Sequence, residues 1–278
     1  ALFNPAWAVM ALHSTLSCYV ATAFAVAGVY AVGYLRGERT AYQRAALRLS
    51  MATGALFSIL MPLSGDLNAT YVSRHQPTKL AAMEAQFDTE RGAPLRIGGW
   101  PDPHRRETRY AIEIPGALSY LAHRDPNAEV KGLDAFPRDQ WPNVHIVHLA
   151  FQLMVGAGLA MVGVSLLYWG WVWRGKRRPG GEGEPPRWLA WGIAASAPLG
   201  FLALEAGWMV SEVGRQPWII RDVMRTAEAV TPAAHVELTF WGFTLLYLFL
   251  SGVVAWYLLR LGSHGERAAV RDQFSIAN

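Results

Sequence analysis

Five apolar blocks constrain this sequence most, because each is close to the length that crosses a lipid bilayer. The hydrocarbon core is about 30 Å thick, so a helix needs about 20 mostly apolar residues to cross it. Hydrophobic residues make up 52% of the 278 residues. The pattern predicts an all-α membrane protein, a bundle of five transmembrane helices over Ala6–Leu35, Ala46–Leu63, Val144–Trp173, Trp188–Val210 and Val236–Leu261.

Basic residues concentrate in two short connections between these spans: Arg36, Arg39, Arg44 and Arg48 in the first, Arg174, Lys176, Arg177, Arg178 and Arg187 in the second. The positive-inside rule places both connections and the C-terminal tail, 262–278, in the cytoplasm. The long segment 64–143 then lies outside, between a two-helix part, 1–63, and a three-helix part, 144–261. The net charge of +4 follows from this asymmetry and gives no reason to predict a nucleic-acid partner. The apolar spans predict membrane lipid as a partner.

The outer segment 64–143 is long for a loop, and loops of that length are usually functional or disordered. Within it, residues 77–87 have a proline in the first turn and an apolar stripe of Leu80, Met83 and Phe87. These features predict a short amphipathic helix. We expect that helix to lie on the membrane surface.

Two residues inside spans have side chains suited to a haem iron. His13 lies about two turns below the outer end of the first span, and Met154 lies at a similar depth in the third. An imidazole and a thioether together suit a low-spin haem. Each residue alone is more simply explained by packing, and His145 and His148 near the top of the third span are rival ligands.

The end of the fourth span carries a polar and aromatic cluster. Trp208 and Glu212 are four residues apart and share a helical face, with Glu205 close to it. Such residues are costly against lipid, although an interfacial aromatic belt with a solvated helix end would also explain them. Arg215 suits a haem propionate because its guanidinium can bind a carboxylate with two hydrogen bonds. Gln216-Pro217 then turns the chain away from the helix.

Several motifs in this order are rarely met together elsewhere. They are His13, Lys79-Leu80-Ala81-Ala82-Met83-Glu84-Ala85, Phe151-Gln152-Leu153-Met154-Val155-Gly156, Gly207-Trp208, Glu212 and Gly214-Arg215-Gln216-Pro217-Trp218. With these motifs the chain resembles subunit I of the cytochrome bd quinol oxidases, from residue 1 to about 261. The resemblance covers the C-terminal half of that subunit, which holds the low-spin haem and the quinol loop.

The resemblance implies a role for each matching residue. His13 and Met154 would be the axial iron ligands of a low-spin haem b, and Lys79 and Glu84 would bind and oxidise quinol. Trp208 would lie on the electron path to the high-spin haems, a haem b and a haem d shared with a partner chain. The remaining predicted cofactor-binding residues are Gln152, Glu212 as a ligand or neighbour of the high-spin haem b iron, Arg215 at a propionate, and Gln216.

Two departures from the family pattern bear on function. Gln152 stands where better-known members carry an arginine, so the haem potential and the contact with quinol are expected to differ. The further N-terminal spans of the family are not in residues 1–278, so the resemblance implies other oxidase subunits, one of them supplying that half. We expect the chain to be the quinol-oxidising half of subunit I of a terminal oxidase, in a bacterial or archaeal cytoplasmic membrane, and to be inactive without its partners. The alternatives are a b-type quinol dehydrogenase that feeds another acceptor and a haem-free scaffold subunit.

Overall fold

A computed structural model describes residues 5–176 and 185–276, with the side chains of Pro5, Lys176 and 261–276 left out. Five helical segments in the described ranges are long and apolar enough to cross a membrane: Ala6–Leu35, Ala41–His75, Val144–Gly175, Arg187–Val213 and Val236–Arg260. The predicted five-span, all-α membrane fold is confirmed. Arg177 and Arg178 of the second basic connection, and the side chains of the predicted tail, lie outside the described residues.

The first four spans form the bundle. α1 (Pro5–Leu35) packs on α2 (Ala41–His75), on α6 (Arg187–Ser196) and on α7 (Leu199–Val213). α5 (Val144–Lys176) packs on α2 and α7 as well, so α1 and α5 are linked through the same two helices. Phe24 of α1 and Met161 of α5 meet in a buried apolar cluster in the middle of the bundle.

The second span was predicted to end at Leu63, and this is wrong. α2 continues through Pro62 to His75, although a proline inside a helix removes one backbone hydrogen bond. The extension is held by neighbours: Asn68 Nδ2 donates to the carbonyl oxygen of Val9 in α1 at 3.4 Å, and Asp66 forms an ion pair with Arg124. Tertiary contacts therefore extend the helix beyond its apolar part.

The fourth span is one crossing built from two helices. α6 ends at Ser196 and α7 begins at Leu199, with the break at Ala197-Pro198. The break lies against α1, where an added Cβ at Gly28 would come within 2.4 Å of the Ala197 Cβ. Small residues on both sides thus allow close contact between the helices.

The outer segment folds into a compact cap over the bundle, and the end it covers is called the loop end below. It contains α3 (Pro77–Met83), α4 (Ala117–His123) and three antiparallel strand pairs: β1–β6 (Glu90–Arg91, Glu129–Val130), β2–β5 (Leu95–Ile97, Ile112–Ile114) and β3–β4 (Trp100–Asp102, Glu107–Arg109). A fourth pair, β7–β8 (Trp218–Ile220, Met224–Arg225), follows α7.

The predicted position of the loop helix on the membrane surface is wrong. Residues 78–83 of α3 are all buried, because α2, α5 and the turn Leu133–Ala135 pack against the helix. Its apolar residues join one cluster with Val144, Val147 and Ala150 of α5. The loop helix is thus part of the protein core.

Val230–Asn278 form a separate compact unit consisting mainly of α8 (Val236–Ile276). The helix extends past the predicted end of the fifth span at Leu261. No side chain of the α8 window that could span the membrane is buried within the described structure.

Candidate functional site

His13 is held in one tautomer by a serine of α2. Its Nδ1 lies 2.8 Å from Ser64 Oγ, and Ser64 Oγ in turn donates to the carbonyl oxygen of Met61 at 2.9 Å. Because the serine hydrogen is used in that bond, Ser64 accepts the Nδ1 hydrogen and Nε2 carries the free lone pair. Among the described residues nothing bonds to Nε2, and this is how an iron-ligating histidine is usually prepared.

Met154 faces the same interior as His13. Val20 and Met161 belong to one buried cluster, and each lies seven residues, or two turns, beyond His13 and Met154 respectively. α1 and α5 both run away from the loop end, and residues seven apart share a helical face. His13 and Met154 therefore lie at matched depth, each about 10 Å nearer the loop end than the cluster that contains Val20 and Met161.

Of the two rival histidines, His148 is engaged at both ring nitrogens. Its Nδ1 lies 2.8 Å from the carbonyl oxygen of Met83, and its Nε2 lies 3.0 Å from that of Gly98. The imidazole is fully buried and joins α5 to the cap, so neither nitrogen faces a space for a porphyrin. His145 packs edge-on against the Trp100 ring, with centroids 5.7 Å apart.

Gln152, at the position of the family arginine, binds the cap. Its Oε1 accepts from the Gly98 amide at 3.0 Å, and its Nε2 donates to the carbonyl oxygen of Arg96 at 2.9 Å. The Arg96 side chain continues the network by donating to Gln86 and to Glu113. The Gln152 side-chain amide thus connects α5, which carries Met154, to the cap, which carries Glu84.

Lys79 is buried where the cap meets the end of α7. Burial lowers the pKa of its ammonium from 10.5 to about 8, opposed by the Glu212 carboxylate and assisted by Arg215. Its stem crosses Gly214, where an added Cβ would lie 3.2 Å from both Cγ and Cε. The structure thus brings the loop lysine to the Gly214-Arg215 motif.

Glu84 is the most strongly perturbed carboxyl group of the cap. The side chain is 3% exposed, and its Oε2 has no hydrogen-bond partner among the described residues. Burial raises the pKa of this carboxyl from 4.5 to about 8, and the Arg96 charge opposes the rise. An unpaired buried carboxyl that titrates close to neutral pH is suited to exchange a proton with a ligand.

The outward face of α7 presents the other predicted residues. Trp208 is 62% exposed, and Glu212 forms an ion pair with Arg215 at the helix end. Gln216 Oε1 accepts from Thr226 Oγ1 at 2.6 Å. Arg215 thus neutralises Glu212 in this structure, and both side chains remain nearly half exposed.

Sequence reasoning missed Ser64, Arg96 and Gln86. Ser64 lies 51 residues from His13, and no local pattern connects them. A serine directly after the predicted span end at Pro62-Leu63 gave no signal, because that end was itself misplaced.

The donor set fits a haem better than a bare metal ion. No group of three or more His, Cys, Asp or Glu side chains that could hold a metal ion occurs in the described ranges. A haem needs only two axial donors from the protein, and His13 and Met154 supply an imidazole and a thioether at matched depth.

Comparisons with known proteins identify the family of this chain. Residues 1–266 match the family described as cytochrome bd terminal oxidase subunit I. The chain is 38% identical over 263 residues to a Bacillus subtilis (strain 168) protein provisionally named cytochrome bd menaquinol oxidase subunit I, and 28% identical over 271 residues to the cytochrome bd ubiquinol oxidase subunit 1 of the same strain. The matches cover 93% and 92% of this chain.

A solved structure gives the same picture. The bd oxidase from Geobacillus thermodenitrificans matches with a TM-score of 0.81 and 41% identity, over 93% of this chain and 58% of that one. The chain also spans 58% and 56% of the two Bacillus subtilis relatives. The relatives are bacterial, which supports a multi-pass protein of a bacterial membrane and gives no support to an archaeal origin. The family match covers nearly the whole sequence, and this chain therefore belongs to the cytochrome bd terminal oxidase subunit I family.

Proposed function

We propose that the chain oxidises a membrane quinol at the cap, with a low-spin haem b held by His13 and Met154 as the electron acceptor. One observation carries the proposal. The buried cluster that contains Leu80 and Met83 of the loop helix also packs against Met154. The predicted quinol residues and the predicted iron ligand are thereby parts of one packed unit.

Glu84 would accept a proton from the quinol hydroxyl. Its carboxyl is unpaired at Oε2 and has a pKa of about 8, so it can take the proton as the carboxylate and later release it toward the cap surface. Lys79, with an ammonium pKa also near 8, would hold the quinol oxygen by donating a hydrogen bond as negative charge develops there.

The overall change is quinol to quinone with release of two protons and two electrons. A haem bound there would supply the one-electron acceptor. His13 and Met154 would hold the iron, and Ser64 would fix the His13 ring in the tautomer that leaves Nε2 free. The packed cap would keep water from Lys79 and Glu84 during the reaction.

Onward transfer would use the outward face of α7. Trp208 is exposed there beside Glu212 and Arg215, and a face with charged and aromatic residues is costly against lipid. We infer that other oxidase subunits cover it and share a high-spin haem b and a haem d, with Glu212 at the iron, Arg215 at a propionate and Gln216 beside them. Oxygen would be reduced there.

Oxygen uptake tests the proposed function. The chain is expressed with and without other oxidase subunits, and uptake is measured with a reduced quinol analogue. The proposal expects sustained uptake only in the assembled complex, with a large loss in Lys79→Ala and in Glu84→Gln while their haem spectra stay normal. Sustained uptake by the chain alone, or wild-type rates in both variants, would contradict it.

A further inference from the structure

Three glycines in α7 and at its C-cap recur at intervals of seven residues: Gly200, Gly207 and Gly214. Seven residues nearly complete two helical turns and drift by only about 20°, so the three share one face. Gly214 ends the helix but keeps helical dihedral angles, φ −69° and ψ −14°. The face therefore extends about 21 Å along the helix, toward the loop end.

Each of the three glycines lies close against a different part of the molecule. A Cβ added at Gly200 would lie 2.5 Å from the Cα of Ala21, in α1. At Gly207 it would lie 3.0 Å from Met154 Sδ, and at Gly214 it would lie 3.2 Å from Cγ and Cε of Lys79. At Gly214 it would also lie 2.3 Å from the carbonyl oxygen of Val210. Ordinary contact of a Cβ begins at about 3.4 Å, so no other residue fits without movement.

These three contacts bring together the parts that the proposed reaction needs. α1 carries His13, α5 contributes Met154, and the cap contributes Lys79. Gly207 lies beside Trp208, which points out of the bundle and is 62% exposed. One side of α7 thus contacts the quinol and low-spin haem residues, and the other presents Trp208 and Glu212.

We propose that the glycine face of α7, formed by Gly200, Gly207 and Gly214, is a positioning element of the quinol-oxidising site. Gly207 sets the position of the Met154 sulfur, Gly214 sets the path of the Lys79 side chain, and Gly200 holds α1 close to the same helix. The inference rests on the proposed function, because it explains how that site keeps its geometry.

Alanine at position 207 should act on the Met154 sulfur. The sulfur has to move by a few tenths of an ångström to reach ordinary contact, and the flexible methionine side chain can do so while α7 stays in place. A thioether bound to iron raises the haem potential. Gly207→Ala should therefore shift the low-spin band or reduce its intensity and lower the midpoint potential, with protein and total haem unchanged.

Alanine at position 214 should act on the quinol reaction. A displacement of about 1 Å can cost up to 100-fold in rate, so a shift of a few tenths should lower kcat/KM for quinol by roughly tenfold. The low-spin spectrum should stay normal. The atom nearest to an added Cβ at Gly214 is the backbone carbonyl oxygen of Val210, at 2.3 Å, so alanine there also has to move the end of α7. The effect of Gly214→Ala is therefore measured with and without Lys79→Ala. If Gly214 acts through Lys79, the second substitution adds little to the first.

The experiment uses the purified complex and Gly192→Ala as the matched control, since an added Cβ at Gly192 in α6 has no neighbour within 4 Å. Spectra, redox titration and quinol kinetics are recorded for each variant. We expect Gly207→Ala to change the spectrum and potential, Gly214→Ala to change only the kinetics, and Gly192→Ala to change neither. Wild-type spectrum and potential in Gly207→Ala would overturn the inference, as would additive effects of Gly214→Ala and Lys79→Ala.

Two further variants separate this inference from the proposed function. If Met154→Leu and Lys79→Ala both behave as wild type, the proposed function fails. If they show defects while both glycine variants behave as wild type, only the positioning role fails. Should Gly207→Ala prevent assembly, Gly207→Ala/Met154→Ala should restore the protein to the level of Met154→Ala alone. Failure to restore it would show that Gly207 acts elsewhere and would overturn the inference.

Discussion

Replacing Glu84 by glutamine tests whether the buried carboxylate accepts the quinol proton. A carboxyl with a pKa of about 8 is roughly 10% ionised at pH 7 and roughly 1% at pH 6. If only the carboxylate accepts the proton, kcat/KM for quinol should rise roughly tenfold between about pH 6 and pH 7, and the contribution of Glu84 should level off above about pH 8.

Lys79 determines the alkaline side of the profile. Its ammonium also has a pKa of about 8, so above that pH it loses the proton with which it would hold the quinol oxygen. The wild-type profile should therefore reach its maximum near pH 8 and decline at higher pH. Lys79→Ala should remove the decline but keep the acid side.

Glu84→Gln keeps the size of the side chain and removes the base. The acid side of the profile should then disappear, and kcat/KM at pH 8 should fall by about 100-fold or more, the typical contribution of a general base. The assay is the initial rate of quinol oxidation by the purified complex at constant ionic strength, with Glu129→Gln, at an exposed position of β6 in the same cap, as the control. An acid side in Glu84→Gln as steep as in wild type would refute the reasoning.

Three further predictions follow from the same contacts. Ser64→Ala leaves the His13 Nδ1 hydrogen unpaired, so haem affinity should fall by roughly 10- to 100-fold. Haem per protein is measured against Ser50→Ala as the control, whose hydroxyl donates to the Ala46 carbonyl oxygen within α2. Gln152→Leu removes two bonds to the cap, so KM for quinol should rise while the low-spin spectrum persists; an unchanged KM would contradict the anchoring role. Because the pKa of Glu84 is raised from 4.5 to about 8, the folded protein binds this proton more tightly than the unfolded chain does. The resulting contribution to stability, roughly 5 kcal/mol, is fully present below about pH 4.5 and is lost as pH rises through about 8. The thermal midpoint of Glu84→Gln should consequently fall less between pH 6 and pH 9 than that of wild type.

The sequence allowed the spans to be predicted because hydrophobicity is a local property. Five apolar blocks were sufficient for the fold class, and counting turns was sufficient to place His13 and Met154 at matched depth. The same reasoning ended the second span at Leu63, because the contacts that extend the helix, such as Asn68 with Val9, join distant parts of the chain. Hydrophobicity also cannot show whether an amphipathic helix faces lipid or another part of the protein, and the position of α3 was therefore wrong.

The candidate site was predictable only as a set of residues. Motif resemblance pointed to Lys79, Glu84 and Glu212, but not to the contact of the Lys79 stem with Gly214 at the end of α7. Spacing shows which residues share a face of one helix; it does not show which face meets which across the bundle. The partner of His13 and the network from Gln152 to Arg96 depend on that second kind of information.

The central claim is that His13 and Met154 hold a low-spin haem b, and Met154→Leu tests it most directly. Leucine has a volume close to that of methionine, so the bundle should still assemble, but it has no sulfur to bind iron. The reduced-minus-oxidised spectrum of the purified complex should lose its low-spin signal or convert it to a high-spin one, with normal amounts of protein. A low-spin spectrum identical to that of wild type would contradict the account and direct attention to His145 as the ligand.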